Sequence, residues 1–213
     1  VIALSTDKAV NPVNLYGASK LASDKIFVAA NSLAGDSGPH FSVARYGNVI
    51  GSRGSIVPFF RKLIADGAEA LPITDPRMTR FWITLDQGVD FVLSSIAMMK
   101  RGEIFVPKIP SMSIVDIATA MAPNLPQRTV GIRPGEKLHE VMITEDDARN
   151  TIALPDRFII RPTLYPEWCE GYDPLETDLE DGFRYASDNN DQWLDKNSFL
   201  SILDSNANLT GRN

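Results

Sequence analysis

The chain opens Val1-Ile2-Ala3-Leu4-Ser5-Thr6-Asp7-Lys8, and Tyr16-Gly17-Ala18-Ser19-Lys20 follows closely. The apolar run Val1–Leu4 reads as a buried strand. Asp7 and Lys8 then emerge at its carboxyl end, where open α/β sheets place their ligands. Tyr16 and Lys20 lie four residues apart, a spacing that stacks side chains on one face of a helix. Strand, acid and amine, then a helix carrying a phenol and an amine: this order decides for an α/β fold. Four groups suited to proton transfer and presented at one crevice point to an enzyme.

Outward from this stretch the elements alternate. A helix is expected from Pro12, where proline is tolerated in a first turn, to about Ala34. Gly35 to Pro39 is a turn cluster. Phe41–Ile50 has strand character, and Gly51 to Ser55 forms a loop before a helix over Ile56–Asp66. Short strands are expected at Leu71–Thr74 and Thr79–Ile83. Thr84 caps a helix over Leu85–Met99, with Asp86 in its first turn. Ile104–Pro107 reads as a strand, and Ser113 as the cap of a helix over Ile114–Met121. Thr129–Ile132 reads as a strand, followed by a short helix through Val141, and Phe158–Arg161 as a further strand. Pro166 to Asp181 is acidic and turn-rich. Ser187 is the expected cap of a last helix near Asp191–Leu203, and the final ten residues should fray. Such alternation implies a parallel sheet. It is regular to about Ile50 and more mixed beyond, as in a smaller substrate-covering domain.

A chain of 213 residues can bury a core in one or two domains. Its net charge of −6, with no basic tract, argues against nucleic acid or an anionic membrane as the main partner. One cysteine, Cys169, leaves no disulfide framework, and two histidines are too few for a zinc site. No metal is therefore expected. No apolar run approaches a membrane span and no signal peptide is seen, so a reducing cytoplasm is the default. The first residue is not Met and already looks like the middle of a strand. A fragment lacking its amino-terminal part is the expectation.

A tyrosine hydroxyl has a pKa of about 10, too high for a base at neutral pH. A nearby ammonium favours the phenolate, and a drop of about three units takes roughly 4 kcal/mol. Tyr16 beside Lys20 could then take a proton from an alcohol while hydride leaves the same carbon. Alone, a Tyr-x-x-x-Lys pair arises often by chance. Asp7 and Lys8 shift the balance. Oxidation to a ketone acidifies the neighbouring C–H, and a base there with an acid near the next hydroxyl eliminates water. Burial disfavours both charged forms, so a desolvated lysine suits the base and a desolvated aspartic acid the acid.

Arg45-Tyr46-Gly47-Asn48 follows a strand and leads into the Gly/Ser loop, whose amides with Arg53 could hold a phosphate. Arg80 and Arg133 each lie near a strand end, and two guanidiniums can clamp a diphosphate. Glu136 could accept bonds from a ribose. For any one of these a surface salt bridge is the commoner fate. His139 fits packing better than catalysis, and Cys169 is given no role.

The stretch Ser5 to Lys20 resembles the extended short-chain dehydrogenase/reductases. Within them it most resembles the inverting UDP-N-acetylglucosamine 4,6-dehydratases, which begin pseudaminic acid synthesis for flagellin glycosylation and surface polysaccharides. Arg45-Tyr46-Gly47-Asn48-Val49, Gly54 to Phe60, Met78 to Trp82, Arg133 to Lys137 and Tyr185-Ala186-Ser187 match as well. The resemblance implies a Rossmann-like fold, with residues 1–50 the back half of the dinucleotide-binding domain. Residues 51–213 would mainly bind the UDP-sugar, with some segments returning to the first domain. It implies bound NADP; the residues that choose NADP over NAD lie outside these motifs, so NAD stays open. Tyr16 would be the base at sugar carbon 4, and Lys20 would tune it and hold the nicotinamide ribose. Asp7 and Lys8 would remove water across carbons 5 and 6, and Thr6 would bond the 4-hydroxyl. Tyr46 would lie by the cofactor; Asn48, Arg80, Arg133 and Glu136 would hold the UDP. A homo-oligomer is expected, since members commonly associate. Tyr rather than Met at position 16 favours the inverting, soluble branch over the membrane-anchored one.

The chain departs from the family by lacking the Gly-rich fingerprint that binds the pyrophosphate. Gly51-x-x-Gly54 has the wrong spacing to replace it. The chain alone is therefore expected to bind NADP weakly and to turn over poorly. Two other functions remain open. A UDP-hexose 4-epimerase or related reductase needs no eliminating pair, and a non-catalytic sugar-nucleotide-binding module would keep the arginines without redox chemistry.

Overall fold

The computed structural model describes residues 1–35, 37–169, 171–172 and 176–210. The first strand, β1 (Ile2–Thr6), runs into a 3₁₀ turn at Asp7–Ala9 and then helix α1 (Leu15–Ala34). The helix does not open at Pro12. Asn14, in extended conformation, accepts the Gly17 N–H through its side chain at 2.9 Å and so sets the start at Leu15. The expected strand over Phe41–Ile50 is broken at Gly47 into β2 (Ser42–Tyr46) and β3 (Asn48–Val49). A Cβ at Gly47 would lie 2.5 Å from the Phe81 Cβ, so only glycine lets the backbone pass there.

Helix α2 (Ile56–Ala65) and strands β4 (Leu71–Ile73) and β5 (Thr79–Ile83) follow. Helix α3 (Leu85–Met98) opens with a reciprocal capping box between Thr84 and Gln87. Next come β6 (Ile104–Pro107), β7 (Ser111–Ser113) and α4 (Ile114–Met121), whose cap is the Ser113 hydroxyl. Strand β8 (Gln127–Thr129) begins earlier than expected because it pairs with β4 from Leu71↔Gln127 to Ile73↔Thr129.

The expected helix before Val141 does not form. The Lys137 and Leu138 carbonyls accept from the Arg80 guanidinium at 2.9 and 3.0 Å instead of serving a helix, and β9 (Val141–Ile143) follows directly. A short helix α5 (Glu145–Ala148) and strands β10 (Thr151–Ala153), β11 (Arg157–Ile160), β12 (Thr177–Asp178) and β13 (Tyr185–Ala186) precede the last helix, α6 (Lys196–Thr210). Asp195, not Ser187, receives the first amides of α6, from Asn197 and Ser198. Ser187 is buried, accepting the Glu140 N–H at 2.9 Å and donating to the Thr79 carbonyl at 3.1 Å. The expected frayed end is helical to Thr210. Residues 211–213, Asp36 in the turn cluster, and 170 and 173–175 in the acidic segment lie outside the described residues.

The main sheet has the order β1-β2-β6-β11-β10-β12. Its β1, β2 and β6 are parallel, as expected, and β11, β10 and β12 are added antiparallel. Strand β5 divides two cores by simple alternation. Phe81 packs with Val43, Met142, Ile143 and Tyr185 against the main sheet, and Trp82 with Phe60, Met112, Ile117 and Phe199 among α2, α4 and α6. Arg45 of β2, itself buried, fixes α1 to this frame: it meets Asp24 at 3.3 Å and donates to the Met142 carbonyl at 2.9 Å. Breaking such a buried pair costs about 3–5 kcal/mol. The face of α1 that bears Tyr16 and Lys20 is oriented by it.

Candidate active site

The carboxyl end of β1 builds the centre of the site. Thr6 caps the 3₁₀ turn, and its hydroxyl donates to Asp7 Oδ1 at 2.9 Å. Asp7 is wholly buried. Its Oδ1 also receives Lys8 Nζ at 3.0 Å, while its Oδ2 has no hydrogen-bond partner. Lys8 Nζ donates to Asn48 Oδ1 at 2.8 Å, which ties this turn to β3. The turn lies tight under α1: a Cβ at Gly17 would come within 2.3 Å of the Lys8 carbonyl oxygen. Glycine between Tyr16 and Lys20 is what lets the two pairs approach.

On α1, Lys20 Nζ donates to the Leu4 carbonyl at 2.6 Å, and the Tyr16 residue is 55% exposed. Tyr46 ends β2 opposite Thr6. Burial and the charge that Tyr16 would carry raise the Tyr46 pKa, so Tyr46 stays a neutral donor.

A cavity of about 650 Å³ opens beside this centre. Lys8, Asn48, Arg80, Arg133 and Glu136 line it; Thr6, Asp7, Tyr16, Lys20 and Tyr46 do not. The predicted residues thus fall on two sides, and Lys8 is the member of the Asp7–Lys8 pair that reaches the cavity. Arg80 spends much of its fork on the backbone, donating to the carbonyls of Thr79 at 2.7 Å, Leu138 and Lys137. Arg133 is more open, with Glu136 at 4.0 Å. Arg53 is exposed outside the cavity, whereas Gly54 and Ser55 of the same loop line it.

Sequence reasoning missed Lys137 and Glu140. Lys137 Nζ donates to the Val10 carbonyl at 2.5 Å and the Asp7 carbonyl at 3.3 Å, bracing the 3₁₀ turn from below. Glu140 is buried 3.8 Å from Lys8 Nζ. Both end the stretch that begins Arg133-Pro134-Gly135, but nothing in its spacing marks a buried carboxylate. His139 meets the Thr79 hydroxyl at 2.8 Å, a packing role. Burial pushes the Cys169 thiol up to about 12, which leaves it inert.

The residues fit a nicotinamide cofactor at one end only. Tyr16, Lys20 and Tyr46 gather at the carboxyl ends of parallel β1 and β2, where such a ring would lie. Gly54 and Ser55, by contrast, face the cavity side.

A family model described as polysaccharide biosynthesis protein matches residues 1–162. The chain belongs to this family. It is 56% identical over 208 residues to a UDP-N-acetylglucosamine 4,6-dehydratase (inverting) of Campylobacter jejuni. That match covers 95% of this chain and 62% of the relative, so the chain spans less than two thirds of the relative's length. A solved structure of Pen from Bacillus thuringiensis superposes with a TM-score of 0.84 at 30% identity, over 97% of this chain and 63% of that one. DesIV, a dTDP-glucose 4,6-dehydratase of Streptomyces venezuelae with NAD and TYD bound, superposes with a TM-score of 0.56 at 22% identity, over 65% and 49%. That likeness bears on the fold, which is α/β and Rossmann-like.

Proposed function

We propose that the protein is a C5-inverting UDP-N-acetylglucosamine 4,6-dehydratase, feeding pseudaminic acid and surface polysaccharide synthesis. The observation that carries this is the Asp7–Lys8 ion pair, with Lys8 entering a cavity that Asn48, Arg80, Arg133 and Glu136 also line. The 56% identity to the Campylobacter dehydratase supports it.

A nicotinamide cofactor, NADP or NAD, supplies when bound an acceptor that takes hydride from sugar carbon 4 and returns it to carbon 6. Tyr16 takes the proton of the 4-hydroxyl, and Lys20 orients the ribose beside it. Tyr46 stays protonated as a donor. With the proton of the Asp7–Lys8 pair transferred to Asp7, neutral Lys8 removes the carbon 5 proton. Asp7, in its protonated form, gives the proton with which the 6-hydroxyl departs as water. Thr6 holds Asp7 in place and reaches the 4-hydroxyl. Carbon 5 is then reprotonated with inversion by a proton from solvent, while Tyr16 releases the proton it took to solvent and Lys8 returns one to Asp7. Arg133, Asn48, Arg80 and Glu136 hold the UDP. Residues 1–50 would serve the cofactor, and the rest mainly the UDP-sugar. The protein would work as a homo-oligomer in the cytoplasm; among the described residues no helix is long and apolar enough to cross a membrane.

The test is proton NMR of UDP-N-acetylglucosamine incubated with the cofactor-loaded protein. A new carbon 6 methyl signal is the expected product, a 4-keto-6-deoxy sugar. Lys8→Ala should lose that product, by about 100-fold or more, while nicotinamide absorbance still reports transient reduction. Dehydration that survives in Lys8→Ala would remove its role. Epimer formation without a methyl signal would favour the epimerase, which has no use for Asp7 and Lys8. UDP binding with neither cofactor binding nor turnover would favour a binding module.

A further inference from the structure

Glu140 is a buried carboxylate at the cavity wall with no part in the mechanism above. One oxygen, Oε1, lies 3.8 Å from both Lys8 Nζ and Arg80 Nε. The other, Oε2, lies 3.3 Å from Lys137 Nζ but outside hydrogen-bond geometry. A single carboxylate thus faces three cations from three segments: the turn after β1, strand β5 and the stretch before β9. Its backbone is clamped, since Glu140 N–H donates to the Ser187 hydroxyl at 2.9 Å and Ser187 N–H donates back at 2.8 Å. A buried carboxylate oxygen held by charge alone is costly to keep.

We propose that Glu140 is a positioning residue: it holds the Lys8 amine for water elimination and fixes its distance from the nucleotide end at Arg80. The proposal rests on the dehydratase assignment. Its electrostatics give a signature that a merely structural role would not. Neutralising Glu140 leaves Lys8, Arg80 and Lys137 without their shared counter-charge, so the cavity becomes more positive. An anionic diphosphate then binds more tightly. Lys8, freed from one of its two carboxylates, is less well placed for carbon 5. Binding and turnover should therefore move in opposite directions.

Calorimetry with UDP, and steady-state dehydration by the cofactor-loaded protein, test this on wild type and Glu140→Gln. UDP should bind about 3- to 10-fold more tightly to the variant at low salt, with the gain shrinking as salt is added. Its kcat should fall by about 10-fold or more with no rise in KM, because small misplacements of a reacting group cost that much. Weaker UDP binding together with slower turnover would overturn the proposal, and so would unchanged turnover. If Glu140→Gln does not fold, Glu140→Asp keeps the charge and draws it back by one methylene. That variant should bind UDP within about twofold of wild type at a clearly lower kcat; wild-type kcat would overturn the proposal. Wild-type protein that binds no UDP would instead overturn the dehydratase assignment. UDP binding by wild type, weakened in Glu140→Gln, would spare that assignment and remove only the role of Glu140.

Discussion

Among single residues, His139 shows how burial shifts the titration of a group that does no chemistry. Burial lowers its pKa below the ordinary imidazole value, with Arg184, Arg80 and Arg77 adding to the effect and Asp188 opposing it. The folded protein therefore takes up this proton less readily than the unfolded chain. The stability associated with neutral His139 is fully present above the unfolded value of about 6.5 and is lost as pH falls toward the folded one. His139→Asn, which cannot titrate, should lose less melting temperature between about pH 7.5 and about pH 5.5 than wild type does. Thermal melts at the two pH values decide it, and parallel losses would show that the imidazole is not the titrating group. At the same scale, Asp7 and Lys8 were legible because they follow an apolar strand directly. Glu140 was not, because two of the cations it faces, Lys8 and Arg80, come from distant parts of the chain.

Elements were legible where their signals are local. Thr84 with Gln87 and Ser113 with Asp116 announce α3 and α4 within one turn. The stretch before β9 was misread because its carbonyls are taken by Arg80, 57 and 58 positions away. Strand β11 was legible as Phe158–Arg161, whereas its neighbours β10 and β12 were not, because they are too short for any period to show. The contact between α1 and the 3₁₀ turn gives a test at this scale. Gly17→Ala would place a methyl group 2.3 Å from the Lys8 carbonyl oxygen and 3.0 Å from the Pro12 Cβ. Backbone does not yield as a flexible side chain does, so the turn must move, at about 1–3 kcal/mol. That corresponds to a melting temperature lower by about 3–9 °C for a chain of this size. Turnover should fall with it, since the Lys8–Asn48 contact rides on the turn. Gly88→Ala in α3 is the comparison: its Cβ meets nothing within 4 Å. There helix propensity should give a gain of up to about 1 kcal/mol. Equal melting temperatures for the two variants would mean that α1 does not press on the turn.

Across the whole molecule, the two proposed ligands are served unequally. On the proposed UDP side, Lys8, Arg80, Arg133, Gly54 and Ser55 line a cavity of about 650 Å³. The cofactor side is one wall. Among the described residues strand β1 is the edge of the main sheet, paired with β2, and Tyr16 stands half exposed. Dinucleotides bind where the strand order of a doubly wound sheet reverses, with their pyrophosphate on a Gly-rich turn at a helix N-terminus. With β1 at the sheet edge, the described residues offer the nicotinamide end of such a crevice and not its pyrophosphate cradle. Tyr16, Lys20 and Tyr46 can make few contacts with a dinucleotide, far from the about 8 kcal/mol that micromolar affinity requires. The described residues should therefore hold UDP more tightly than NADPH, so that loading the protein with cofactor takes NADPH at about millimolar concentration. Nicotinamide fluorescence titrated against the chain, beside UDP calorimetry on the same sample, measures both. Stoichiometric NADPH binding at micromolar concentration would mean that the open edge of β1 is covered in solution. A second copy of the chain would then be the first candidate, and sedimentation of the NADPH-bound sample would show whether that copy is present.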